Sequence, residues 1–339
     1  MRTMIRSFWR AGFKPFFVNP QWEYRWRAYA GAIVMFTLII VNVVASVLLS
    51  FQLNAFGVAL QTGASPDEYH HIAIFIVGII GIFIATDPTV YSIILPWYMQ
   101  WWREALMAWY LPLWLQKTGK NEVGSAAQRI KDCSNQIAET LSSISVRSFR
   151  YCMGLFGFLP VAWALSENFQ FILPIPGLLI WVMIIVCILE TALCWYLGRR
   201  LPKLEQLWQE SDAALRSSLE MLQQRIATNG KTDALMHATK KHIRIWRKRK
   251  FKFIRHSIPL LLWQQLYGNF WGYGIQVLLG LFVVVYKIFQ YGIMWQTIAV
   301  LGEIHRSLSI FSDSWQTLTQ LQATVGRIQE LEDETHATS

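Results

Sequence analysis

Six runs along the chain are apolar enough, over enough residues, to cross a lipid bilayer as helix. They fall at about residues 29–51, 71–98, 149–165, 171–197, 258–286 and 291–311, and the last is the least apolar. The hydrocarbon core is about 30 Å thick and a helix rises about 1.5 Å per residue, so roughly 20 apolar residues suffice. Inside that core no water is available to hydrogen-bond the backbone, so a spanning segment must satisfy its own N–H and C=O groups. The pattern therefore predicts an all-α integral membrane protein with six transmembrane helices. Only 15% of residues are charged, against about 25% in soluble domains, as expected if much of the surface faces lipid. The 17 Trp and 12 Tyr suit rings that settle at headgroup depth.

Lys and Arg set the orientation. Residues 1–27 hold six of them, the connection between the second and third runs holds six, and the stretch from Arg199 to Arg255 holds fifteen. The alternate connections hold none around Asp67 and Glu68, none around Glu167, and only Lys287 before the sixth run. Basic segments stay inside, so both termini of this multi-pass chain are expected in the cytoplasm. The net charge of +10 then orients the chain and meets anionic lipid headgroups, which sets nucleic acid aside as a partner. The acidic outer loop, with Asp67, Glu68, His70 and His71, reads either as a plain solvated turn or as an attractor of cationic substrates.

The domain layout follows. Residues 1–27 mix Arg and Lys with Phe, Trp and Ile, which suits a helix lying in the inner interface and limited to about its first dozen residues by Pro15 and Pro20. Residues 28–325 form the transmembrane domain, and 326–339 a cytoplasmic tail. The inner connections are long and rich in helix formers, broken only at Lys117-Thr118-Gly119-Lys120 and Thr228-Asn229-Gly230-Lys231-Thr232. Helices 2–3 and 4–5 should thus continue into the cytoplasm as long hairpins with Gly-containing tips. This is an ABC-exporter-like arrangement. A nucleotide-binding domain is not expected: Gly230-Lys231-Thr232 lacks the Gly that a phosphate loop needs five residues earlier, where Arg225 stands. Neither a nucleophile–base signature nor clustered metal ligands occur, and the four Cys (133, 152, 187, 194) have no ligand spacing. The sequence reads as a non-enzyme without metal or cofactor.

Carboxylates within the apolar runs carry the functional reading, because a charge at that depth needs a cavity or a partner. There are four: Asp87 before Pro88, Glu190, Glu303 and Asp313. Each has a plainer alternative. Asp87 can bond backbone loosened by the proline, Glu303 can pair with Arg306 one turn on, and Asp313 can sit at headgroup depth. Glu190 has no cation on its own helix before Arg199. Glu303 and Glu190 are the leading candidates for residues that bind and release protons.

Several motifs carry a family resemblance. They are Asn19-Pro20-Gln21-Trp22; Trp102-Arg103 with Tyr110 and Trp114; and Ser125-Ala126-Ala127-Gln128-Arg129-Ile130 with Asp132. Further on stand Gly157-Phe158-Leu159-Pro160 with Leu165-Ser166; Gly198, Leu201, Pro202, Leu204 and Glu205; and Ser314-Trp315 with Arg327. In this order and spacing the chain resembles the SbmA/BacA group of bacterial peptide-uptake proteins, relatives of the membrane part of ABC transporters. The resemblance implies a homodimer around a central cavity that imports peptides or peptide antibiotics, driven by the proton gradient. One departure stands out: residues 33–50 contain no carboxylate, where the group carries acidic residues in its first shared helix. Two other readings stay open. One is the permease half of an ABC transporter with its ATPase on a separate chain, and the other is a non-transporting membrane scaffold.

Overall fold

The computed structural model describes residues 8–117, 123–170, 174–228, 233–284 and 290–310, with helical positions recurring between 314 and 326; the side chains of 113–130, 282 and 284 lie outside that description. A π-helical turn (Trp9–Phe13) leads into α1 (Lys14–Phe17). Helix runs on through Pro15, past the boundary the sequence suggested: the turn before it is π-helical, with the Lys14 N–H donating to the Trp9 carbonyl, and the wider register accommodates the proline. α2 (Trp22–Thr62) follows with 41 residues, about 60 Å of rod.

The turn that ends α2 is specified locally. Gly63 takes a left-handed conformation (φ 69°) and its amide donates to the Ala59 carbonyl at 3.1 Å, as a helix C-terminus requires. Ser65 then opens α3 (Pro66–Pro88), its hydroxyl accepting the Glu68 N–H at 3.4 Å. Asp67 and Glu68 lie in that first turn, at the positive end of the helix dipole. Pro88 has no N–H to return to the preceding turn, and the register widens into a π turn (Thr89–Ile94) before α4 (Leu95–Lys117) continues the rod.

α5 (Val123–Leu165) has 43 residues and ends in a 3₁₀ turn (Ser166–Phe169). The remaining elements are α6 (Leu178–Gly198), α7 (Leu201–Ala227), α8 (Asp233–Asn269), a π turn (Phe270–Gly274), α9 (Ile275–Val284) and α10 (Tyr291–Leu308). No strand occurs among the described residues. Four stretches are long and apolar enough to cross a membrane: Trp22–Thr62, Pro66–Pro112, Lys131–Phe169 and Leu178–Ala227. The last two of the six expected spans are not among them. Gln264, Gln265, Asn269 and Gln276 dilute the fifth, and residues 285–289 lie outside the described set. α10 carries Glu303, His305 and Arg306 in only 18 residues.

α2 is the central helix and packs against α3, α4, α5 and α10. One core gathers Ala28, Met35, Tyr98, Trp102, Tyr110, Ile137 and Leu141 together with Ala11 and Phe16 from the N-terminal segment. That segment is packed into the bundle along one side rather than only resting on an interface. The Trp102 indole donates to the Gly12 carbonyl at 3.1 Å and the Tyr110 hydroxyl to the Ala11 carbonyl at 2.9 Å. A second core joins α5, α6, α9 and α10 through Phe158, Met183, Cys187, Leu279 and Ile304.

α7 and α8 pair as a long hairpin. The Trp246 indole donates to Asp212 Oδ1 (3.0 Å), Arg249 Nη1 to the Leu207 carbonyl (2.9 Å), and Lys250 Nζ sits 3.4 Å above the Trp208 ring. Small polar residues, Ser211, Ser218 and Thr239, are buried at that seam and let the rods approach. The Gly-containing tips at 118–120 and 229–232 lie outside the described residues.

Candidate functional site: a polar layer at mid-bundle

Three of the four candidate carboxylates, Asp87, Glu190 and Glu303, lie among the described residues. Asn42 lies halfway along α2, and its Nδ2 donates to Thr86 Oγ1 (3.0 Å) and to Asp87 Oδ1 (3.1 Å). From α5, Arg150 Nη1 donates to the same Asp87 oxygen at 3.2 Å. Asp87 is thus held by two side chains from other helices rather than by the backbone near Pro88. The stacked rings of Phe36 and Phe149, 4.1 Å apart, fix the register of α5 on α2. α10 meets α5 at the same level, where Ser307 approaches Gly154.

Glu303 and Arg306 form the one-turn pair that spacing allowed, Arg306 Nη1 donating to Glu303 Oε1 at 2.7 Å. Arg150 lies within electrostatic reach of Glu303 as well as of Asp87. The acidic and basic groups of α3, α5 and α10 therefore compensate one another.

Glu190 differs. It is 4% exposed, deep in α6. Ser309 Oγ lies 2.6 Å from its Oε2, and His305 Nε2 lies 3.4 Å from Oε2 and 3.0 Å from Ser309 Oγ. The His305 ring stacks on Trp271 at 4.7 Å and leans on Tyr267 at 5.2 Å, which holds it in place. A serine hydroxyl has one proton. With Glu190 ionised, Ser309 donates to the carboxylate and accepts from His305 Nε2–H. With Glu190 protonated, the chain reverses: Glu190 donates to Ser309, and Ser309 donates to His305 Nε2. The group is thus a short relay with two proton arrangements. Its order differs from that of a nucleophile triad, in which the histidine stands between serine and carboxylate; here the serine stands between the other two.

The residues picked out by motif have other work. Trp102 is 1% exposed and stacks on Phe16 at 5.0 Å, fastening the N-terminal segment. Arg103 is half-buried beside it, and its Nε finds no hydrogen-bond partner among the described residues. Asp132 is exposed on α5. Pro202 stands in the first turn of α7, where no N–H is needed. Gln128 and Arg129 are helical, with side chains outside the described set, and Asp313 and Trp315 lie outside the described residues.

His305, Ser309, Arg150 and Asn42 were missed by sequence reasoning. A signal existed for two of them: Arg150 is a charge in an apolar run, and His305 is a titratable ring in the last run. For Glu190, the structure replaces a carboxylate without a nearby cation on its helix by one set against a titratable ring from another.

A family model described as SbmA/BacA-like matches residues 19–336, which takes in every helix from α2 to α10. The match includes the carboxylate layer, the Trp102 anchor and the four apolar spans. With nearly all of its length inside that match, the chain belongs to the SbmA/BacA-like family, a family of membrane transporters.

Proposed function

We propose that this protein imports peptides or peptide antibiotics across a bacterial inner membrane as a homodimer, driven by the proton gradient. The observation that carries the reading is the Glu190–Ser309–His305 relay, buried between α6 and α10. A coupling group must hold a proton in one state and release it in another. A carboxylate in partly desolvated surroundings with a titratable partner meets that need. Glu303, already neutralised by Arg306, is the secondary candidate.

The α8–α9 segment and α10 complete a six-helix, ABC-exporter-like unit in this reading. Two contacts support it. Gly292, at the start of α10, lies against Gly57 near the outer end of α2, while Leu201 and Phe253 meet beside the inner end of α6. These contacts support reading the α8–α9 segment and α10 as the last two spans. The homodimer follows from the incomplete enclosure that one six-helix unit provides. The α7–α8 hairpin also suits the runner-up, a permease whose cytoplasmic helices dock on a separate ATPase.

The test is uptake into proteoliposomes under an inward proton gradient without ATP. Glu190→Gln keeps the shape and removes the charge, and Ser309→Ala breaks the relay but keeps the carboxylate. Both should take up substrate far more slowly than the unaltered protein while binding it equally well. Full uptake in both variants, with unchanged pH dependence, would leave Glu190 structural. Strict dependence on ATP would establish the runner-up.

A further inference from the structure

The joint between α6 and α7 carries an unusual concentration of positive charge. α6 ends at Gly198 and α7 begins at Leu201, so Arg199 and Arg200 occupy the two positions between. Lys203 follows in the first turn of α7. Lys252 and His256 come from α8, four residues apart and so on one face. With Leu204, these five residues line a single cavity of about 430 Å³.

Among the described residues nothing neutralises them. Among the described residues no carboxylate lies within ion-pair distance of Arg199, Arg200, Lys203 or Lys252. Other cations of this chain do find carboxylates: Arg150 meets Asp87, Arg216 meets Asp212 and Arg306 meets Glu303. His256 Nδ1 donates to the Lys252 carbonyl at 2.8 Å, so Nε2 offers an anion an N–H only in the protonated ring. The Arg199 guanidinium rests on the Tyr196 ring at 4.6 Å and keeps its N–H edges available. Four fixed positive charges around one cavity repel one another, and an anion relieves that repulsion.

The surroundings say what kind of anion. Beneath the cavity lies a small apolar cluster of Cys194, Leu201, Phe253 and Leu260. Beside it, α6 exposes Leu189, Trp195 and Tyr196, and α8 exposes Leu261 and Leu262. Aromatic rings next to a band of apolar residues mark the edge of the hydrocarbon, and the basic residues begin where the apolar run of α6 stops. The ligand therefore has a charged end for the cavity and an apolar body for the helix faces outside it.

We propose that this cavity is a headgroup site for an anionic phospholipid of the inner leaflet, one whose headgroup presents phosphate without an ammonium. Arg199, Arg200 and Lys203 grip the phosphate from the α6–α7 joint, and Lys252 and His256 close on it from α8. Such a lipid bridges the end of a spanning helix to the base of the cytoplasmic hairpin. A zwitterionic headgroup brings its own cation into the same cluster and is disfavoured. The site requires only that α6 crosses the membrane, and it stands or falls independently of proton coupling.

The experiment is lipid titration of the full-length protein in mild detergent, read by native mass spectrometry. Phosphatidylglycerol and phosphatidylcholine are compared on the unaltered chain, on Arg199→Gln/Arg200→Gln/Lys203→Gln, and on Arg244→Gln/Lys248→Gln as a control elsewhere on the basic surface. Phosphatidylglycerol should bind the unaltered protein and the control at least about tenfold more tightly than phosphatidylcholine, and the triple variant should lose that preference. If the triple variant does not fold, Lys252→Gln/His256→Gln carries the same expectation and leaves the joint intact. An undiminished preference in the folded cavity variants overturns the proposal. So does inorganic phosphate that displaces the lipid at equal concentration, which would make the site one for a free anion.

Discussion

Asp87 is where a single side chain decides most. It accepts hydrogen bonds from Asn42 and Arg150, 45 and 63 residues away along the chain. Asp87→Asn would leave the Arg150 guanidinium with its nearest counter-charge gone, and should lower stability by about 1–3 kcal/mol. Thermal unfolding in detergent checks this, and Asp87→Asn/Arg150→Gln should recover part of the loss because neither charge is then stranded. A double variant no better than the single one would show that the pair does not act as a unit. The carboxylates themselves were legible in the sequence, since a charge inside an apolar run stands out. Their partners were not. Asn42 and Ser309 are ordinary residues in sequence, and only the packing of four helices makes them neighbours. The pairing of Glu303 with Arg306 was legible because it is local, one turn of one helix.

At the level of elements, α2 and α10 cross with their backbones in close contact. A Cβ on Gly57 would lie 2.6 Å from the Gly292 Cα, and one on Gly292 would lie 2.2 Å from the Asn54 carbonyl oxygen. The backbones touch, as small residues allow where membrane helices cross. Asn54 Nδ2 donates to Gln296 Oε1 at 2.8 Å, and the Tyr291 N–H to Gln61 Oε1 at 3.1 Å, on either side of the contact. Gly292→Ala should therefore cost about 1–3 kcal/mol by overpacking. Gly280→Ala, where a new methyl meets open space, should be close to neutral or slightly stabilising by helix propensity. Equal melting points for the two variants would contradict the crossing. The helices were legible from apolar run length, caps and turn residues. The crossing was not, because Gly57 and Gly292 sit among many other glycines and nothing local distinguishes them. The N-terminal segment shows the same limit: its composition suits an interface, while Trp102 and Tyr110, far along the chain, draw it into the core.

For the molecule as a whole, charge asymmetry and apolar runs made the membrane character plain. Four spans are evident from length and composition. The other two expected runs fall outside that set, the fifth carrying Gln264 and Gln265 and the sixth Gln296, Glu303 and His305. The six-span topology predicts that single Cys labels at Ser65 and Lys231 react from opposite sides of the membrane, with position 65 outside. Reaction of both from one side would refute it. The homodimer predicts twice the 39.3 kDa chain mass in mild detergent, and a fully active monomer would exclude it. The Gly57–Gly292 contact bears on motion at this scale. Gly292 rests on the α2 backbone beside the Asn54 and Val58 side chains, and we read this contact as a fulcrum on which α10 turns rather than slides. The arm of α10 from Gly292 to Leu308 is about 24 Å long. A turn of about 10° at the fulcrum sweeps its far end, with His305 and Ser309, through roughly 4 Å, more than the length of the hydrogen bond joining Ser309 to Glu190, while the outer end stays where it is.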